Sequence, residues 1–498
     1  MIKMNENETL YEKTLEVLEQ GNFDEAKKLL IELRRKEETP EKNFLISKLL
    51  IEFGIKTSNQ KYFNEAIGKL KQLREYDFHR LHFYLGNAYL KKYESLKEKP
   101  DYLNDPEKLL YNAKLEFKKE IDNNPDELLH GALVNLGAIY NKIGRTVEAL
   151  ENYDIVCKEF GSDYGIYNNG HALYSYSTFT DNPTLCIKEA YFHFKLIIED
   201  PNLKSKFKNP SKNMIELILE KYDIEFLEEK IENEGKIEIP AGNDFEFYIV
   251  KYCFENDLNL NFCDYCKKCK KSIEDSLVIE KMIYEEPKSG NETSFSMFSS
   301  YLNQIKMDYV SARTLLILSE YDDFDLDSIT KHVFIVNTDF PEETDIRVQL
   351  LKDSFKNFFN ILDKIAFFIK DYLDFEDKYD NITFRTLWDE PELKKVLIKK
   401  SNLGLTALYD IHMDIDKTEE KKNLRKTRND LTHKYLKITI EQQEITDKTV
   451  EELKAETLEI AHIVKNAIIY LMRFVKINEE NIEDALDVEF IPIEEVEF

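Results

Sequence analysis

The chain reads as an all-α protein, a helical solenoid followed by a helical bundle. Three observations predict that class. Glycine (14) and proline (12) are scarce among 498 residues while charged residues reach 33%, which suits helices better than sandwiches or barrels with their many turns. The N-terminal part repeats a small-then-large pattern at helical spacing. The C-terminal part carries apolar residues at i, i+3 and i+4 over runs long enough to pack as a bundle. A chain of this length is expected to hold two or three domains.

In the repeats, a Gly, an Ala five residues on and a Leu or aromatic four later mark the second helix of a pair, as in Gly21, Ala26, Leu30 and in Gly144, Ala149, Tyr153. Leu136-Gly137-Ala138-Ile139-Tyr140 is the small-then-large signature of a first helix, and Leu85-Gly86-Asn87-Ala88-Tyr89 repeats it. The partner of the latter comes late, at Ala113, Phe117 and Pro125, so residues around 95–107 read as an insertion. Further copies lie at Ala66 with Leu70, and at Gly170 with Ala190, Phe194 and Pro201. These offsets resemble the tetratricopeptide consensus over residues 8–235. There, stacked helix pairs build a continuous core and a concave surface. The functional reading is a groove for a protein or peptide trigger; the alternative is a scaffold that only positions the next domain.

Charge narrows the function. The formal net charge is −27, which opposes indiscriminate binding to nucleic acid. Any such contact needs a local patch, and residues 421–437 offer one: Lys421, Lys422, Arg425, Lys426, Arg428, Lys434 and Lys437 against Asp430, a local +6. The opening Met1 to Leu10 is polar, and the longest apolar stretches, such as Ala467 to Met472, are too short to span a bilayer. Six cysteines give no disulfide framework. A cytoplasmic protein without membrane partners is expected.

Residues 238–300 form a less regular junction, punctuated by Pro240, Gly242, Pro287 and Gly290. Cys263, Cys266 and Cys269 lie there at two-residue gaps, with Cys253 ten residues upstream of Cys263. Four thiolates can close a structural zinc site. Reduced thiols, with Cys253 packed as a small hydrophobe, are the alternative.

Residues 301–476 return to helix. Met297 to Leu318 reads as one; Arg347 to Leu373 as a long second, its apolar face made by Leu351, Phe355, Phe358, Phe359, Leu362, Ile365, Ala366 and Ile369. Asn402 to Met413, Glu419 to Tyr435 and Val450 to Lys476 give three more, and His332 to Asn337 a short extended piece. Residues 477–498 form an acidic tail. Within the basic patch, Arg428 and Asn429 are followed by His433. Arginine supplies a planar fork for phosphate, and histidine exchanges protons near neutrality. Together they are a minimal kit for cutting RNA without a metal.

The bundle resembles the HEPN superfamily, in the branch where a tetratricopeptide array precedes it. The likeness is carried by Tyr309-Val310-Ser311-Ala312-Arg313, Asp363-Lys364-Ile365-Ala366-Phe367-Phe368, Phe384-Arg385-Thr386-Leu387-Trp388, Asn402-Leu403-Gly404-Leu405 and Thr427 to Leu436. The resemblance implies a metal-independent endoribonuclease, with no cofactor for catalysis, whose motifs face each other across a homodimer of C-terminal bundles. Its product would carry a 2′,3′-cyclic phosphate end. Arg428 would hold the scissile phosphate, His433 would move the protons, and Asn429, one helical turn before His433, would orient the imidazole or touch phosphate. Asp363 and Lys364 would support them from behind, while Lys421, Lys422, Arg425, Lys426 and Lys434 would bind RNA. The reading is a toxin or antiviral defence effector; the alternative is a non-catalytic adaptor that only dimerises. No phosphate-cradling glycine loop, His-Glu-x-x-His or nucleophile elbow is present.

Overall fold

In the computed structural model of the chain the described residues are 6–76, 78–100, 102–123, 130–180, 183–203, 205–229, 244–262, 270–278, 292–333, 345–375, 381–391, 394–395, 398, 402–418, 421–434, 436–439 and 448–480. Helices pair along the N-terminal part: Glu6–Glu19 with Phe23–Arg35, Pro40–Thr57 with Gln60–Gln72, Leu81–Glu94 with Leu109–Asn123, His130–Lys142 with Thr146–Phe160, and Asp163–Tyr176 with Pro183–Glu199. Each pair also packs on the next, which makes a solenoid. Close approach within a pair depends on a glycine facing an aromatic ring: Gly54 on Phe63, Gly86 on Phe117, Gly137 on Tyr153 and Gly170 on Phe194. A Cβ at Gly137 would lie 2.6 Å from Tyr153 Cε1, so a larger residue would prise the helices apart. The Gly54–Phe63 pair was not marked in the sequence, where only Ala66 and Leu70 signalled that repeat.

The C-terminal bundle is built on two long helices, Glu292–Glu320 and Ile346–Tyr372, packed along each other, with Val450–Glu480 against the second. The apolar face expected from Leu351 to Ile369 is buried throughout. Glu292–Glu320 begins directly after the punctuators Pro287 and Gly290, and so crosses residue 300, where the sequence placed the boundary. The extended piece expected at His332 to Asn337 lies outside the described residues from 334 onward. A two-residue parallel ladder, Ile438–Thr439 with Lys448–Thr449, follows the Lys422–His433 helix.

The helix Leu403–Lys417 bridges the two halves. Its N-cap Asn402 accepts the N–H groups of Gly404 (2.9 Å) and Leu405 (3.3 Å) and donates to Phe474 O (3.2 Å). From the other side, the array presses on it with charged groups that have left solvent. Lys114 Nζ reaches Asp410 Oδ1 and Oδ2 and Asp414 Oδ1, each at 2.6 Å. Arg145 Nη1 reaches Asp410 Oδ2 at 2.8 Å and Asp414 Oδ2 at 2.5 Å. Tyr102, from the expected insertion, donates to Asp410, and Tyr470 donates to Glu148, itself paired with Arg145 at 2.6 Å. Arg473 Nη1 donates to Gly144 O (3.0 Å) and Thr146 Oγ1 (3.1 Å).

Gly144 stands at this seam with φ +85, in the left-handed region. A Cβ there would lie 2.3 Å from Leu403 O, a backbone atom that cannot rotate away. Gly144→Ala is therefore expected to cost about 1–3 kcal/mol from overpacking, plus the strain of the positive φ. Chemical denaturation would register it, and an unchanged midpoint would show the seam to be looser than drawn.

The junction is tied to both halves where it is described. Tyr176 and Thr180 of the array donate to Phe262 O at 2.7 and 3.0 Å. Arg313 of the bundle grips Asp275 through both terminal nitrogens, at 2.8 and 2.7 Å, and also donates to Leu258 O. Arg313, one of the residues carrying the resemblance, is thus a buried strut.

Candidate active site

The Lys422–His433 helix turns Leu424, Thr427 and Asp430 inward at three-residue steps. Thr427 Oγ1 donates to Glu456 Oε2 at 2.7 Å, which pins the helix to Val450–Glu480. Arg425, Arg428 and Asn429 consequently flank a cavity of about 170 Å³ closed by Ile346–Tyr372, the Phe384–Leu387 turn and Leu403–Lys417.

Arg428 is half-buried, and among the described residues its guanidinium makes one hydrogen bond, to Asn429 Oδ1 at 3.4 Å, the outer limit of such a contact. Across the cavity stands Asp363, whose Oδ1 accepts the Phe384 N–H at 2.9 Å. Burial pushes the Asp363 carboxyl above its ordinary range, and the Phe384 N–H and the Arg428 charge offset this only in part. Lys364, expected beside it, does not line the cavity and pairs with Asp308 on Glu292–Glu320. Adjacent residues on a helix lie roughly 100° apart, so only one of the two can face Arg428.

His433 ends the helix, exposed, and is not part of the cavity wall. The imidazole that the wall does hold is His412, 2% exposed. Its Nδ1 lies 3.1 Å from Asp416 Oδ2, an ion-pair distance without the alignment of a hydrogen bond. Arg425 approaches the same carboxylate at 3.5 Å and Arg385 at 3.9 Å. Burial alone would raise the Asp416 pKa, but His412, Arg385 and Arg425 outweigh it and hold the carboxyl below its usual range. His412 is not among the site residues read from the sequence. The i, i+4 spacing of His412 and Asp416 was the available signal.

The basic patch is less bare than its composition suggests. Lys421 pairs with Glu459, Lys434 with Asp430 at 3.0 Å and Arg425 with Asp416, while Lys422 and Lys426 reach solvent. Among the cysteines, Cys253 is buried, and burial pushes its thiol up to about 11. Cys263, Cys266 and Cys269 lie outside the described residues, as does the tail from 481 onward. Among the described residues no helix is long and apolar enough to cross a membrane.

Residues 290–478, which contain the whole cavity, match the family described as LA2681-like HEPN. This segment belongs to the HEPN superfamily. The match leaves the repeat array outside it, and neither a curated protein nor a solved structure matches the chain. A HEPN domain points to ribonuclease or nucleotide-related chemistry, and in this one Arg428, Asn429 and Asp363 share a cavity while His433 stands at the next turn of the same helix.

Proposed function

We propose that the chain is a metal-independent endoribonuclease in which Arg428 seats the scissile phosphate and His433 moves the protons. The observation that supports it most is the state of Arg428: a half-buried guanidinium at a cavity wall in a HEPN domain, with a single marginal hydrogen bond among the described residues. Its remaining donors form a fork suited to phosphate oxygens and to the charge that builds on them in the transition state. His433, free at the helix end, takes the 2′-hydroxyl proton or gives one to the leaving 5′-oxygen. Asn429 lies one turn before it and shares the Arg428 cavity, where its amide would touch the phosphate or orient the imidazole. Asp363, facing Arg428, orients the guanidinium.

A single chain presents one such imidazole, whereas in-line cleavage uses an acid and a base on opposite sides of the phosphate. Two bundles related by a two-fold axis would supply both. The exposed position of His433 suits that arrangement, because a rim residue can reach a partner's cleft. The repeat array would then act as the sensor of a protein or peptide trigger in a toxin or defence role. A zinc held by Cys253, Cys263, Cys266 and Cys269 would be structural, four ligands leaving no open position for water.

The test is an RNA cleavage assay on the full chain with and without chelator. Undiminished cleavage leaving 2′,3′-cyclic phosphate ends is expected. Activity abolished by chelator and restored by magnesium would overturn the proposal.

A further inference from the structure

A second cavity, of about 350 Å³, opens where the array meets the bundle. That volume falls in the range of small-molecule sites. Tyr111 and Lys108 line it from the array; Trp388, Tyr409 and Lys417 line it from the bundle, with Lys394 beside them. Three features define what it can hold. Tyr102 and Tyr409, both half-buried, line it with aromatic ring surface, beside an edge-to-face pair of Trp388 with Tyr409 at 5.6 Å. Trp388 is 4% exposed, yet its Nε1–H is buried with no hydrogen-bond partner among the described residues. Lys108, Lys394 and Lys417 are exposed and bring positive charge to one place on a strongly acidic chain. The acids of the wall are Asp105, whose carboxylate accepts the Glu107 and Leu109 backbone N–H groups, and Asp389, a carboxylate suited to ribose hydroxyls.

From the aromatic faces, the unpaired indole N–H and the lysines, we infer that this junction cavity binds a nucleoside phosphate, either a free mononucleotide or the terminal nucleotide of an RNA strand. Aromatic faces stack bases whatever their sequence, and lysines meet the phosphate. The site draws half its wall from outside the HEPN domain and contains neither Arg428 nor His433, so it stands apart from the ribonuclease proposal. His412 belongs to the walls of both cavities. An occupant here therefore has a direct physical route to the Arg428 pocket.

Trp388 is the only tryptophan in the chain, so its fluorescence reports on the surroundings of this one ring, and a charge-reversed variant assigns a response to this cavity. The full-length Arg428→Ala protein, in which cleavage plays no part, is titrated with AMP and, separately, with a short oligoribonucleotide. A saturable change in Trp388 emission is expected, and the double variant Lys108→Glu, Lys394→Glu, at two exposed positions, should weaken it about tenfold or more. A response to AMP assigns a free nucleotide; a response to the oligoribonucleotide alone assigns an RNA end. No saturable change with either, an equal response in the charge-reversed protein, or the same response to inorganic phosphate alone would overturn the inference.

Discussion

Arg428→Ala and His433→Ala proteins are expected to cleave RNA slower by about 10²–10⁴-fold, the usual worth of a positioned acid or base, and to melt where the unaltered protein melts. His433 is exposed, and among the described residues the Arg428 guanidinium makes one marginal hydrogen bond, so neither truncation empties a packed core. His412 is the control. It is nearly fully buried and packs against Asp416, so His412→Ala should lower stability. A His433→Ala protein with full activity, beside a folded His412→Gln protein without any, would move the imidazole's role from the rim into the cavity. Mixing the Arg428→Ala and His433→Ala proteins tests the shared site. Partial recovery is expected from mixed dimers, and a mixture as inactive as its components would argue for independent sites.

The Lys114→Met protein is expected to lose about 3–5 kcal/mol of stability, the cost of removing one partner from a buried ionic group. Lys114 is fully buried, and its ammonium lies 2.6 Å from both Asp410 oxygens and from Asp414. Without it, the two carboxylates are left with Arg145, which also serves Glu148, and with Lys118, 3.7 Å from Asp414. Because the cluster joins array to bundle, denaturation should also separate into two transitions where the unaltered chain gives one. The pH dependence has a definite sign. Burial alone would raise the Asp414 pKa, but Lys114, Lys118 and Arg145 outweigh it and hold the carboxylate far below its ordinary range. A carboxylate depressed in the folded state contributes stability that is fully present above its unfolded pKa of about 4, and loses it as the pH falls toward the folded value. The gap between variant and parent should therefore hold from neutral pH down to about pH 4 and narrow below it. An equal gap at neutral pH and well below about pH 4 would place the loss in packing and not in charge.

Helix positions, the pairing of Gly86 with Phe117, Gly137 with Tyr153 and Gly170 with Phe194, and the placing of Arg428, Asn429 and His433 on one helix were all legible in the sequence. Each depends on contacts within a helix or between neighbouring helices, which a 3.6-residue period writes directly into the order of side chains. The segment Asp410-Ile411-His412-Met413-Asp414-Ile415-Asp416 shows where that stops. Two residues are roughly 200° around a helix, so the pattern puts Asp410 with Asp414 on one face and His412 with Asp416 on the other, without saying what each face meets. Asp410 and Asp414 meet Lys114 across 296 and 300 residues of chain, while His412 and Asp416 meet Arg425 and the Arg428 cavity. Residues 95–107 likewise read as a polar insertion, yet Tyr102 ends on Asp410, 308 residues away. The sequence by itself determined which helices form and which of the proposed catalytic groups share one of them. Only the tertiary structure decided which histidine enters the cavity and which charges are buried together, because those choices rest on contacts between separate helices, tens of residues apart at the cavity and 296 to 300 apart at the seam, for which local order holds no register.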